Sequence, residues 1–208
     1  KIPSNIETVN YINGAVALPY WISALVDDEG SGSYFLNLLG SSKTFSYAFP
    51  SSIPEYDTTA KNADGYTGLN ATQIRNTVSA FTALQNLIDV RFIQTSNPDA
   101  DNVISIGLNN QSSTNGYAYG PNGNSTGSDI FLNNSSSNST LNSGTYGSLT
   151  IIHELGHALG LKHPFAQADL TGYQETGPYL RGTDDHAEWS MMSYNRSEAE
   201  YKLTFSDL

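Results

Sequence analysis

The chain has 208 residues, a formal net charge of −11 and no cysteine. That length suits one domain with its own core, and nine Lys and Arg spread along an acidic chain exclude a surface that neutralises nucleic-acid phosphates. Without cysteine there is no disulfide, thiol nucleophile or thiolate ligand, so a metal must be held by imidazole, carboxylate or phenolate.

Residues 1–43 contain no recognisable motif, and the acidic Asp27-Asp28-Glu29 lacks calcium-loop spacing and reads as a solvated turn. Lys1-Ile2-Pro3-Ser4 does not open a signal peptide, and no apolar run approaches the roughly eighteen residues a membrane crossing needs. Thr44 to Phe49 and Val90 to Thr95 read as strands from their alternation and their aromatic and β-branched content. Between them a helix opens at Asn70, with Gln73 completing a capping box, and Ile74, Val78, Phe81, Leu84, Leu87 and Ile88 recur at helical spacing. Strand, helix and strand in that order predict a parallel pair joined by a crossover.

Asn102 to Leu108 reads as a further strand, followed by two short ones at Tyr117–Tyr119 and Asp129–Leu132. These lengths fit a mixed sheet with an antiparallel edge. Residues 133–148 are almost free of apolar side chains and are expected to be a solvated loop, with Ser148 or a neighbour capping the next helix. The sequon at Asn138-Ser139-Thr140 is a by-product of that composition.

Residues 153–163, HELGHALGLKH, hold three of the four histidines. On a helix, His153 and His157 lie about 40° apart in azimuth and about 6 Å along the axis, so both rings can turn to one point. His163 on the same helix would lie some 240° around from His157, whereas zinc needs all its nitrogens at about 2.0–2.1 Å. The helix must therefore stop first. Gly160 can end it in the left-handed conformation, and Pro164 prevents its resumption. Glu154 projects about 100° from its neighbouring ligand, free to act as a base rather than to ligate. A lone histidine would more simply be a packing residue, but five specified residues within eleven make a motif.

His153-Glu154-x-x-His157-x-x-Gly160-x-x-His163 is the extended zinc signature of the metzincins, and with Pro164 behind it the stretch resembles the serralysin branch. Trp189-Ser190-Met191-Met192-Ser193-Tyr194 is similar to that branch's Met-turn. The resemblance implies an α+β fold: a twisted, mixed five-stranded sheet with one antiparallel edge strand, two long helices, and a small irregular C-terminal lobe across a cleft. On this reading residues 1–208 form a single catalytic domain, with an extension at 1–43, an upper lobe at 44–163 and a lower lobe at 164–208.

The implied chemistry is zinc-dependent hydrolysis of peptide bonds in a protein or peptide substrate. His153, His157 and His163 would hold Zn2+, Glu154 would be general base and proton shuttle, and Tyr194 would bind the metal and then leave it for the substrate carbonyl. Met192 would form an apolar floor. Tyr117-Ala118-Tyr119 would be the edge strand that takes an extended substrate. Calcium, by contrast, has no supporting loop motif within these residues. The resemblance, with a composition rich in Asn, Ser, Thr and Gly and poor in Lys, implies a secreted bacterial monomer with no membrane or nucleic-acid partner. Phe205-Ser206-Asp207-Leu208 resembles the start of a capped helix, so a further C-terminal segment of the parent polypeptide is expected to follow. The competing reading is a catalytically idle zinc-binding module of a larger adhesin or toxin, against which Glu154 and Tyr194 argue because binding alone needs neither.

Overall fold

A computed structural model describes residues 8–9, 18–26, 43–100, 103–121, 125–167 and 177–196. The acidic turn at Asp27-Asp28-Glu29 and the helix start at Phe205–Leu208 lie outside these residues. Strands β1 (Thr8–Val9) and β2 (Leu18–Pro19) pair antiparallel, and a single helical turn, α1 (Tyr20–Ser23), follows.

The main body begins with β3 (Thr44–Ala48), then a short α2 (Ala60–Ala63), the long α3 (Ala71–Leu87), and β4 (Arg91–Gln94). Strands β5 (Val103–Asn109), β6 (Gly116–Ala118) and β7 (Ile130–Asn133) precede helix α4 (Tyr146–Ala158). The sheet order is β4-β3-β5-β7-β6, parallel throughout except that β6 runs antiparallel to β7 at the edge. This is the α+β, metzincin-like arrangement, and α3 is the crossover between the parallel neighbours β3 and β4.

Helix α3 starts where local chemistry requires. Asn70 accepts hydrogen bonds from the Thr72 and Gln73 amides, and the Gln73 side chain accepts from the Asn70 amide at 2.7 Å. The predicted apolar stripe is shorter than its sequence suggests: Leu87 is 55% exposed, and Ile88 is an extended C-cap. Phe81 carries the packing instead, stacked 4.2 Å from Tyr47 and tilted against Phe92 at 4.7 Å. Burying a side chain of this size stabilises by about 2–3 kcal/mol. Strand β5 is buried along its whole length because parallel neighbours flank it.

The expectation of a solvated loop at 133–148 is corrected by the structure. Asn138 and Leu141 are fully buried, and Gly147 and Ser148 are buried within α4. Side chains satisfy the polar backbone there. Asn138 Nδ2 donates to the carbonyls of Asn115 and Asn133, Gln73 Nε2 donates to Asn138 O, and Asn76 Nδ2 donates to Thr140 O. A composition typical of loops thus builds a fixed platform under α4, and the sequon asparagine is spent inside it. Thr145 is the N-cap, and Ser148 closes the box three residues on.

Candidate metal centre

Helix α4 packs under the sheet with Ile151, Leu155 and Ala158 fully buried in the core. Its C-terminus closes with the Gly160 amide donating to His157 O and the Leu161 amide donating to Gly156 O, each at 2.8 Å. This pair of bonds is the Schellman arrangement, and Gly160, at φ 91°, occupies its left-handed position. The chain then reverses toward the helix. Leu161 bridges Val26, and the Lys162 amide donates to Leu25 O at 2.8 Å. Residues 18–26 thus brace the return that carries His163, a contribution that no motif in the sequence announces.

The outcome is a triangle of imidazole nitrogens. His153 Nε2 lies 3.1 Å from His157 Nε2, and each lies 3.2 Å from His163 Nε2. Three ligands at 2.0–2.1 Å in tetrahedral directions would stand about 3.3–3.4 Å apart, so the triangle is close to the size a metal requires. His153 Nδ1 donates to Met191 O at 2.8 Å, and His157 Nδ1 donates to Leu161 O at 2.9 Å. A carbonyl only accepts, so both Nε2 atoms present lone pairs, and two lone pairs at 3.1 Å repel unless a cation lies between them. Burial lowers all three imidazole pKa values, that of His163 to about 3, with His153 adding to the shift at the other two. The rings are therefore neutral and able to ligate at neutral pH. The residues fit a tetrahedral cation, and zinc suits an all-imidazole set.

Glu154 is 5% exposed, and burial raises its carboxyl to about 8. A cation held by the neighbouring imidazoles would oppose that shift and favour the ionised form. Glu154 packs against the edge strand where Gly116 has no side chain: a Cβ there would come within 2.9 Å of Glu154 Cγ and Oε1. The ladder also sorts the edge strand's backbone. Asn115, Tyr117 and Tyr119 stand opposite Asn133, Phe131 and Asp129, with the Tyr119 amide donating to Asp129 O and the Asn133 amide to Asn115 O. By antiparallel alternation, Gly116 and Ala118 turn their N–H and C=O groups outward. Tyr117 turns its side chain to the opposite face, where its hydroxyl donates to Asn62 Oδ1 and accepts from Asn109 Nδ2, both at 2.8 Å. Tyr119 Oη donates to Asn62 Oδ1 at 3.2 Å.

Beyond His163 the described chain is largely irregular. Met192 is 1% exposed, and Gly156 admits it to the helix, since a Cβ on Gly156 would meet Met192 Sδ at 2.5 Å. The Tyr194 ring lies 4.9 Å from the His163 ring and 5.5 Å from that of His153. Asp185 holds this turn: its carboxylate accepts from Ser193 Oγ at 2.6 Å and from Asn195 Nδ2 at 2.8 Å. Asp184 accepts from Tyr20 Oη. Both carboxylates are therefore structural, tying this segment to the turn that carries Tyr194 and to Tyr20.

A family model for metallo-peptidase family M12, Reprolysin_5, matches residues 42–206. Serralysin A and serralysin G of Dickeya chrysanthemi are 29% and 26% identical over 168 and 167 residues, in each case 76% of this chain. Those alignments cover 33% and 34% of the relatives, so the chain spans about a third of their length. A serralysin of Proteus mirabilis is 44% identical over 59 residues, 27% of this chain and 11% of the relative. The match runs from the first strand of the main sheet through the histidine triangle and the turn beneath it, and the chain belongs to metallo-peptidase family M12.

Proposed function

We propose that this chain is the catalytic part of a secreted, serralysin-like zinc endopeptidase that cleaves protein substrates. The observation that carries the reading is the triangle of three converging imidazole nitrogens with a buried glutamate on the residue next to one of them. His153, His157 and His163 would hold zinc, which when bound lowers the pKa of water and polarises a carbonyl. An extended substrate would lie along the outward backbone groups of Gly116 and Ala118. Glu154 would take one proton from the attacking water and pass it to the departing amine as the C–N bond breaks. The Tyr194 hydroxyl would hydrogen-bond the substrate oxygen as that atom gains charge, and Met192 would serve as an apolar floor. A monomer with a single site suffices for this chemistry.

Digestion of casein or gelatin, with and without a zinc chelator, tests the reading. Proteolysis that chelation abolishes and zinc restores is the expected result. Stoichiometric zinc binding with no hydrolysis would reduce the chain to a binding module, and proteolysis indifferent to chelation would remove the metal from the reaction.

A further inference from the structure

A cavity of about 380 Å³ opens beside the metal centre, and its lining includes His153, Glu154, Gly116, Asn115, Tyr146 and Arg196. Its two charged lining residues are Glu154 and Arg196, and no ion pair joins them. The Arg196 guanidinium lies over the Tyr146 ring, 5.3 Å from its centroid, with Nη2 donating to Tyr146 Oη at 3.4 Å. Asn115 Nδ2 donates to the same hydroxyl at 3.3 Å. Among the described residues Arg196 has no carboxylate partner, so a half-buried cation faces the space next to the catalytic carboxylate. Gln167, also on the wall, has its buried Oε1 without a hydrogen-bond partner among the described residues.

We propose that this cavity is a specificity pocket for an acidic substrate side chain, with Arg196 as the determining residue. The inference rests on the peptidase reading above and names the substrate class of the same site. A guanidinium lying over an aromatic face, with Nη2 engaged by the ring's hydroxyl at 3.4 Å, keeps its remaining N–H donors for a planar partner, and a carboxylate can meet two of them with parallel hydrogen bonds. An apolar side chain would strip water from Arg196 without replacing it, and a cationic one would be repelled. Gln167 fits the same occupant, since its amide, turned over, presents its NH2 to a carboxylate.

The sheet edge fixes which substrate residue enters. Antiparallel pairing is the more stable mode for an added strand, and β6 runs from Gly116 to Ala118. An antiparallel substrate therefore lays its later residues toward Gly116 and Asn115, the part of the edge that borders the cavity. Glu154 stands against Gly116, so the pocket receives the residue immediately C-terminal to the cleaved bond. The chain's net charge of −11 acts from a distance and is screened beyond about 8 Å at physiological salt, whereas Arg196 acts at contact.

The test is cleavage of a peptide library by the zinc-loaded protein, with the cut sites read by mass spectrometry. Wild type is expected to favour Asp and Glu over Lys immediately after the cut by about 10- to 100-fold, the range of a charge-assisted hydrogen bond. Arg196→Ala should erase that preference, and Arg196→Glu should turn it toward Lys and Arg. Thermal melting verifies the fold of each variant, and the wild-type profile stands as a test by itself. Cleavage by wild type with no regard to that charge, or an acidic preference undiminished in Arg196→Ala, would overturn the assignment while leaving the peptidase reading intact. Absence of cleavage of any peptide would overturn the peptidase reading and this inference with it.

Discussion

His153 and His157 stand on a helix buried on nearly every side, while His163, Met192 and Tyr194 stand on chain with almost no repetitive structure. The first pair is placed by helix periodicity and a core that includes Ile151 and Leu155. The second group is placed by a few hydrogen bonds: the Lys162 amide donates to Leu25 O, Ser193 Oγ and Asn195 Nδ2 donate to the Asp185 carboxylate, and His153 Nδ1 donates to Met191 O. One half of the centre is thus built from local regularity and the other from long-range contacts. The two halves meet where Gly156 lets Met192 approach the helix.

The largest expected effect comes from cutting the link between the halves. His163→Ala removes the proposed ligand from the irregular half, and zinc binding should weaken by several orders of magnitude, because two imidazoles cannot close the site. Metal analysis after dialysis measures this directly, and undiminished zinc would show that the helix pair suffices. Tyr194→Phe is next. It keeps the ring packed against His163 but deletes the donor, so zinc content should hold while kcat falls by about 10- to 1000-fold with little change in KM. An unchanged kcat/KM on several peptides would make Tyr194 structural.

Gly116→Ala probes the regular half. The new methyl group would meet the Glu154 carboxylate at 2.9 Å, displacing the proposed base while leaving the triangle intact. Zinc affinity should stay within about twofold while kcat drops by about tenfold or more, the scale on which misplacing a catalytic group is felt. Equal losses in metal affinity and turnover would instead mean that the helix itself had shifted.

The smallest effect on the chemistry belongs to Asp129, buried and remote from the triangle. Its carboxyl accepts from the Ser105 amide and from Tyr56 Oη, and burial raises it from 3.8 to about 8. With the folded-state pKa raised, its contribution is complete below about pH 4 and is lost as pH rises toward 8. Asp129→Asn keeps the acceptor for Ser105 and offers Tyr56 a donor, so it should flatten the decline of Tm across that window. A decline as steep as in wild type would place the titrating group elsewhere.

The sequence was legible where structure is local. The box at Asn70 and Gln73, the stop at Gly160 and the convergence of His153 with His157 all follow from spacing within one turn or two of helix. The phase of the edge strand was not: Tyr117 and Tyr119 carry the strand signal, yet the outward groups belong to Gly116 and Ala118, because register against β7 sets the alternation. The solvated loop expected at 133–148 was a misreading, because asparagine side chains satisfy backbone carbonyls inside the fold as well as water does outside it. Arg196 and the brace at 18–26 act through partners far away in the chain, which no window of sequence displays, and Asp185 acts on Ser193 and Asn195 across a stretch without helical or strand periodicity.

The central claim is that the three histidines hold the metal while Glu154, one residue from a ligand, holds none of it and moves the proton. Glu154→Ala, assayed for zinc content and peptide hydrolysis on one preparation, tests both parts together. The account predicts one zinc per chain and turnover reduced by about 10²- to 10⁴-fold, the worth of a positioned general base. Loss of zinc would make Glu154 a ligand, and substantial hydrolysis with zinc retained would contradict its role as the base.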